Sequence, residues 1–572
     1  MSANDVRPAS SPAFRYGLIA VLALAMLPYL NALNAFWVGD DYNYVVPKTL
    51  DTVLNFFNPT IGRAAYRPAN WLTWAFDYSL FGVVPLGWHL TGLLLYLLNT
   101  LFVVLLVREL AKGWCPDDLR ARTWVPLLAG AFFAVHPSHP ETVTWTGGRA
   151  DVAFGVGLFL AAWAIARWSV GGRESRGLYA LAWIGVWLAI MGKEAGLIAP
   201  LALLLVDWAI PERLPEANGE PSRPVIVRAL VGGVLRLGLF AAFMEVVLSI
   251  QQEGSETSGA RLAGQLLPFG LLLVGIPLPW RSRAASGRLA RLARDHAPFF
   301  AISAAYVLLR FELARTGYGR LMYGTDTYLR LSPETLLNSA NGYLAIGLGA
   351  WNSAQGVISW PLLLKVIFFL VCLGFAAITV RRLGLPALFA LLWIPLTGLV
   401  TFNAAAPRWF YVPSMGICLL AALLIYSAGK ARPALLLVPA LALVLVWGGI
   451  TLEENSRWVA SGQVARGILG QIRALHPDPP RPATFYMANP PYGYAGVLLF
   501  NSGFSQAPSF VYQDYQGITG YELEEHAAQV RAALADPLRV GPHPFFLRYE
   551  NGRLVEYPSL RALVAAQQGT RP

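Results

Sequence analysis

The 572-residue chain reads as an all-α polytopic membrane protein with a small C-terminal α/β region outside the bilayer. Two observations predict the membrane part. Hydrophobic residues make up 56% of the chain and charged residues 13%, against roughly 25% charged in soluble domains. Mean hydropathy is +0.48. A third observation predicts the soluble part: beyond about residue 453 charge density rises and the long apolar runs stop. This balance excludes a disordered chain, a secreted disulfide scaffold and an ordinary cytosolic enzyme.

The first apolar run, 16–36, meets the ~20 residues that a helix needs to cross a bilayer. Arg7 and Arg15 precede it, which places the N-terminus inside. Many further apolar runs follow, so it reads as a retained anchor rather than a cleaved signal. Those runs are 88–107, 123–136, 152–168, 177–192, 195–210, 226–249, 263–280, 297–314, 362–380, 385–403, 411–428 and 434–451. Basic loops at 108–122, 167–176, 281–294, 381–382 and 430–432 all fall on the cytoplasmic side of the resulting topology. Segment 336–354 breaks this pattern if it is counted as a span, so it reads as a re-entrant or interfacial element on the outer face. The expectation is about 13 transmembrane helices, N-terminus in and C-terminus out.

The net charge of +11 is spread over these loops and gathers in no single patch, so nucleic acid is not an expected partner. Cys115, Cys372 and Cys418 are scattered without CxxC or CxH spacing, and neither zinc nor a disulfide framework is indicated.

Two regions stand outside the membrane. The first outer loop, 37–87, is far longer than a connection requires and is expected to carry function or short helices. The membrane domain is expected over 1–452 and a soluble α/β domain over 453–572. In the latter, strands are expected at 484–487, 497–500 and 510–512 and a helix at 522–535. An Asn551-Gly552 turn between 544–549 and 553–557 signals a hairpin.

Ionisable residues at the mouth of a membrane bundle are costly and therefore functional candidates. Five clusters fall on the outer side. Asp40-Asp41, where the first span exits, offers a general base beside a positioning group, or merely a solvated helix end. Tyr66-Arg67-Pro68, with Arg63 nearby and Gly87-Trp88-His89 further on, offers a cation for a phosphate or for lipid head groups. His136-Pro137-Ser138-His139-Pro140-Glu141 and Gly148-Arg149-Ala150-Asp151 form the densest cluster. Its prolines break metal-ligand spacing, so a hydrogen-bonded turn is favoured over a metal, and Asp151 is placed to cap the next helix. Lys193-Glu194 reads as an ion pair or as a lysine donating to an anionic head group while the glutamate orients it. Arg408, Tyr411 and Ser414 lie in an aromatic stretch ahead of a late span.

Taken in order, these motifs resemble the multi-spanning glycosyltransferases of the GT-C fold that use lipid-linked sugars. The resemblance is to the protein O-mannosyltransferase-like branch, which includes the transmembrane TPR-containing mannosyltransferases and bacterial relatives. The acidic pair Asp40-Asp41, Tyr66-Arg67-Pro68, Pro85-x-Gly87-x-His89-Leu90, His136-Pro137-x-His139-x-Glu141, Gly148-Arg149-Ala150-Asp151, Lys193-Glu194 and Arg408-x-x-Tyr411-x-Pro413-Ser414 carry it, over roughly 15–210 and 385–430. Pro407 stands where relatives usually have Glu, 226–280 looks inserted, and no TPR repeats follow. The resemblance implies an inverting hexosyltransferase, mannose-like, in a bacterial inner membrane with its C-terminal domain in the periplasm. The donor would be a polyprenyl-phosphate sugar, and the acceptor a protein or glycan hydroxyl. It implies Asp40 or Asp41 as base, with Arg149, Lys193 and Arg408 stabilising the lipid phosphate and Arg67 and His139 positioning sugar or phosphate. It implies no certain cofactor; a divalent metal is compatible with these residues but not indicated by them. A transporter or flippase, or a ligase or polymerase of lipid-linked sugars, is the alternative. Transporters show two related halves, and no such symmetry is evident in this chain.

Overall fold

The computed structural model describes residues 12–59, 65–211, 288–315, 333–349, 360–399, 406–430 and 434–569, with isolated positions between 239 and 270. The expected spans 226–249 and 263–280, those positions aside, and Arg63 lie outside the described residues.

Helix α1 (Pro12–Met26) runs into a 3₁₀ segment, Leu27–Asn34, and the first long loop follows. The loop carries short helices: α2 (Asp41–Tyr44), α3 (Leu50–Asn55) and α4 (Pro68–Phe81). The bundle continues with α5 (Pro85–Trp114), α6 (Ala121–Ala134), the single turn α7 (Pro140–Val143), α8 (Arg149–Val170), α9 (Arg176–Gly192) and α10 (Ala199–Trp208). After α11 (Arg288–Arg315) and α12 (Pro333–Gly347) come α13 (Leu362–Leu383), α14 (Leu385–Gly398), α15 (Ser414–Gly429) and α16 (Ala434–Leu475).

Proline in the first turn starts α4, α5 and α7, where its missing N–H costs nothing. Among the described residues five helices are long and apolar enough to cross a membrane: Pro12–Asn34, Pro85–Trp114, Thr146–Val170, Leu362–Leu383 and Leu437–Leu475. Three shorter apolar helices, Arg176–Gly192, Leu385–Gly398 and Ser414–Gly429, accompany them. The chain is a multi-pass membrane protein. At 15 residues and 1.5 Å per residue, α12 is about 22 Å long, short of the ~30 Å hydrocarbon core.

The helices α8 and α9 make the closest pairing in the bundle. A Cβ on Gly157 would stand 2.3 Å from the Ala189 nitrogen, so small residues let the two backbones touch. This contact holds the start of α8 beside the end of α9, where two of the polar clusters lie. The basic loops gather at the opposite end of the bundle. There Lys430 pairs with Asp118 (3.0 Å) and Arg167 with Glu109 (3.1 Å).

Helix α16 is 42 residues long, about 63 Å, and the boundary expected at 453 falls inside it. Its last turns lie under a four-stranded sheet ordered β4-β1-β5-β6. The strands are β1 (Ala483–Ala488), β4 (Ile518–Glu522), β5 (Pro544–Glu550) and β6 (Arg553–Glu556); a separate ribbon pairs β2 (Gly493–Tyr494) with β3 (Val497–Leu498). Strand β1 is parallel to both neighbours and buried along its whole length, as a central strand covered on both faces must be. Ile468, Leu469 and Ile472 of α16 pack with Phe485 and Leu547 on one face. On the other, Val530 of α18 (Ala527–Ala535) and Leu563 of α19 (Leu560–Gln568) pack with Tyr486 and Phe546.

The Asn551-Gly552 hairpin joins β5 to β6, with Asn551 at φ +48° and Gly552 at +84°. Two expectations fail. Residues 510–512 end a helix, α17 (Ala507–Tyr512), because Pro508 starts a turn that Gln513 closes at φ +54°. The helix expected from 522 begins at Ala527, because Glu522 still pairs with Met487 in the sheet.

The first long loop, the start of α5 and the α/β region share one apolar core: Trp37, Tyr42 and Trp88 cluster with Phe500, Phe504 and Phe510. The α/β region is therefore seated on the loop by aromatic burial, worth roughly 1.5–3 kcal/mol per fully buried large side chain.

Candidate active site

The acidic pair sits where that shared core meets the bundle. Gly39, at φ +62°, turns the chain out of the first span, and its N–H donates to the Leu499 carbonyl (2.8 Å). The two carboxylates then part company. Asp41 is 2% exposed; its Oδ2 accepts from the Val38 N–H (3.2 Å) and its Oδ1 from the Gly147 N–H (2.9 Å). Burial pushes its pKa up to about 8, against the pull of those two N–H donors. Asp40 is half-buried, and its Oδ1 accepts from Asn501 Nδ2 (2.7 Å) and Ser502 Oγ (2.6 Å). Its Oδ2 takes no hydrogen bond from the described residues. Asp41 is thus a buried brace that ties the loop to the start of α8, while Asp40 presents a free carboxylate oxygen.

Four cations are held by four carboxylates at this end of the bundle. Arg67 Nε donates to Glu194 Oε2 (3.0 Å), and the Tyr66 N–H donates to Oε1 (3.4 Å). Lys193 Nζ donates to Asp151 Oδ1 (2.6 Å). Arg408 donates to Glu141 Oε1 through its guanidinium and to Oε2 through its backbone N–H (3.1 Å). Arg149 donates to Asp77, to Trp88 O (2.6 Å) and to Thr73 Oγ1 (3.3 Å).

Three of these cations converge. Burial lowers the Lys193 ammonium from its usual range, Asp151 opposes this, and the charges of Arg67 and Arg408 lower it further. Residues brought in by the first long loop, by the α9–α10 turn and by the approach to α15 thus lie within electrostatic reach of one another. Arg149 stands apart: at 2% exposure and held by Asp77, Thr73 and Trp88, it locks α4 to α8.

The histidine turn lies behind this cluster. His139 bridges Tyr96 OH (3.0 Å) and Ser414 Oγ (2.9 Å); His136 contacts Ser138 Oγ (2.9 Å) and the Gly347 carbonyl (3.3 Å), which brings in the end of α12. These bonds brace the turn, and among the described residues no three His, Cys, Asp or Glu side chains converge as metal ligands. His89 contacts the Ala35 carbonyl (2.9 Å) and fixes the exit of the first span.

Two pairings differ from the expected ones. Lys193 and Glu194 do not pair with each other: extended backbone at Lys193 sends adjacent side chains to different partners, Asp151 and Arg67. Asp151 does not cap α8; Gly148 holds that position and the carboxylate turns to Lys193.

The structure also adds residues that sequence reading passed over. Asp77, a lone carboxylate in a tryptophan-rich stretch, neutralises Arg149. Trp145 lies between the loop and Arg408: the guanidinium is 5.6 Å from its ring centre, and a Cβ on Gly39 would be 3.6 Å from its Nε1. Several buried polar atoms here have no hydrogen-bond partner among the described residues: Tyr411 OH, Trp145 Nε1, Thr142 Oγ1, Thr146 Oγ1 and both amide atoms of Asn70. Unpaired buried groups cost about 1–3 kcal/mol each, so such a concentration marks hydrogen-bonding capacity that a ligand can use.

No family model matches the chain. Curated relatives do, and they bear out the resemblance to protein O-mannosyl-transferases. Protein O-mannosyl-transferase Tmtc1 of Drosophila melanogaster is 33% identical over 208 residues, covering 34% of this chain and 23% of the relative. Protein O-mannosyl-transferase tmtc2 of Xenopus laevis is 31% identical over 194 residues, 30% of this chain and 22% of the relative. The chain thus spans about a quarter of the length of these relatives. Among solved structures, the archaeal oligosaccharyltransferase AglB from Archaeoglobus fulgidus, in complex with an inhibitory peptide and a dolichol-phosphate, aligns at a TM-score of 0.42 and 14% identity. That alignment covers 98% of this chain and 75% of AglB. ArnT from Cupriavidus metallidurans bound to undecaprenyl phosphate aligns at 0.30 and 13% identity, covering 95% and 98%.

Proposed function

We propose that this chain is a membrane glycosyltransferase. It moves a hexose, mannose-like, from a polyprenyl-phosphate donor to a hydroxyl of a protein or glycan on the outer face of a bacterial inner membrane. The observation that carries this reading is the convergence of Arg67, Lys193 and Arg408 at the outer mouth of the bundle, beside an acidic loop with one free carboxylate oxygen. The resemblance to protein O-mannosyl-transferases supports it. In this reading residues 1–452 bind the donor, 453–572 form the periplasmic domain, and the N-terminus is cytoplasmic.

The chemistry is a single inverting displacement. The acceptor oxygen attacks the anomeric carbon, and Asp40 Oδ2 takes the hydroxyl proton as the new C–O bond forms. The bond from that carbon to the phosphate oxygen breaks, and its electron pair leaves with the lipid phosphate, which gains one negative charge. Arg67, Lys193 and Arg408 are already fixed by Glu194, Asp151 and Glu141, so they meet that charge without reorganising. Tyr411 and His139 line the same region, and Arg149 and Asp41 hold its walls.

Purified protein incubated with labelled polyprenyl-phosphate hexose and cell-envelope extract tests the reading. Labelled acceptor is expected from the wild type and not from Asp40→Asn. Translocation of the lipid between leaflets without any labelled product would instead identify a flippase.

A further inference from the structure

The α/β region makes its most specific contact with the membrane part at the acidic loop. Besides the Gly39–Leu499 bond, Asn43 Nδ2 donates to the Ser502 carbonyl (3.2 Å) and to its Oγ (3.3 Å), and that hydroxyl passes its own hydrogen to Asp40 Oδ1. A Cβ on Gly503 would stand 2.2 Å from the Gly39 carbonyl oxygen, so the two segments are in backbone contact. The Tyr42 and Phe500 rings pack 5.9 Å apart directly beneath. No other part of the described chain hydrogen-bonds the Asp40 carboxylate.

We infer that the 497–503 segment is part of the catalytic machinery, with Asn501 and Ser502 as positioning residues for Asp40. This rests on the proposed transferase reading and deepens it. Two donors on Oδ1 fix the carboxylate rotamer and leave Oδ2 as the oxygen that receives the proton. Without them a half-buried aspartate would sample several rotamers, and a base displaced by about 1 Å costs on the order of a hundredfold in rate. The α/β region thus completes the base across 461 residues of sequence. An acceptor would reach Asp40 along the seam between the two parts.

The test uses the full chain in detergent or nanodiscs. Asn501→Gly keeps the left-handed backbone (φ +43°) while removing the amide, and Ser502→Ala removes the hydroxyl. Both positions are exposed, so folding is expected to survive. The double variant should lose roughly tenfold to a hundredfold in kcat with the KM for polyprenyl-phosphate hexose unchanged. Restoring the hydroxyl by Ser502→Thr in the Asn501→Gly background should recover most of the loss. An unchanged kcat, or a loss that appears in donor KM, would overturn the inference while wild-type transfer and its abolition in Asp40→Asn still upheld the transferase reading. No transfer by the wild type would overturn that reading itself.

Discussion

The two ends of helix α8 carry polar clusters of similar density and opposite character. At the end near the basic loops, Asp207 is saturated. Its Oδ1 accepts from Ser169 Oγ (2.5 Å) and Arg173 (2.7 Å), its Oδ2 from Arg173 (3.1 Å) and His296 (3.0 Å). Arg173 also reaches Asp295 (3.0 Å), whose backbone carbonyl accepts from Tyr179 OH (2.6 Å). This network clasps α8, α9, α10 and α11. At the other end Arg67, Lys193 and Arg408 pair with Glu194, Asp151 and Glu141, and among the described residues Tyr411 OH, both Asn70 amide atoms and Trp145 Nε1 have no hydrogen-bond partner. Buried charge alone therefore does not mark a site. Unpaired buried atoms occur at both ends, His296 Nδ1 of the clasp among them, and the difference lies in how many of them surround the three ion pairs.

The contrast can be broken by mutation. The largest effect is expected for Asp40→Asn: a loss of transfer of about 10²–10⁴-fold, the usual worth of a positioned base, with donor binding and melting temperature retained. Next comes Asp207→Asn, which removes the charge facing His296 and one of the two carboxylates facing Arg173. It should cost up to about 3–5 kcal/mol of stability with little change in kcat for the protein that stays folded, read by thermal unfolding and by transfer at low temperature.

Tyr411→Phe inverts that pattern. Removing a hydroxyl that has no partner should leave stability unchanged or raise it by about 1 kcal/mol, while donor KM rises several-fold. A matching loss of stability would show that the hydroxyl is already satisfied.

The last effect concerns pH and is comparable in size to that of Asp207→Asn. The Asp41 carboxyl holds its proton up to about pH 8 when folded, whereas an unfolded aspartate releases it near pH 4. Across that window the folded state binds the extra proton, so stability falls as pH rises and levels off above about 8. Asp41→Asn should gain stability relative to wild type between about pH 5 and 9; parallel unfolding curves would contradict this.

Much of this was legible in the sequence. Apolar helices such as Pro85–Trp114 and Leu362–Leu383 and the hairpin at Asn551-Gly552 follow from apolar run length and turn chemistry. The pairings were not legible. Adjacent residues such as Lys193 and Glu194 look like partners on paper, yet the backbone angle between them decides where each side chain goes. Asp40 and Asp41 are equivalent in sequence; burial and backbone donors separate them. Residues 510–512 have strand-like composition, but Pro508 and the shared aromatic core make them a helix. Nothing in the tail announced Asn501 and Ser502, because their partner lies more than 450 residues away.

Equilibrium binding of polyprenyl-phosphate hexose to wild type, Arg408→Gln and Arg173→Gln tests the assignment of the site most directly. Both variants remove one guanidinium from a carboxylate pair, at opposite ends of the bundle. Donor affinity should fall at least about tenfold in folded Arg408→Gln and stay at the wild-type value in folded Arg173→Gln, as expected for a charge-assisted phosphate contact. Equal affinities in the two variants would show that the lipid phosphate binds elsewhere.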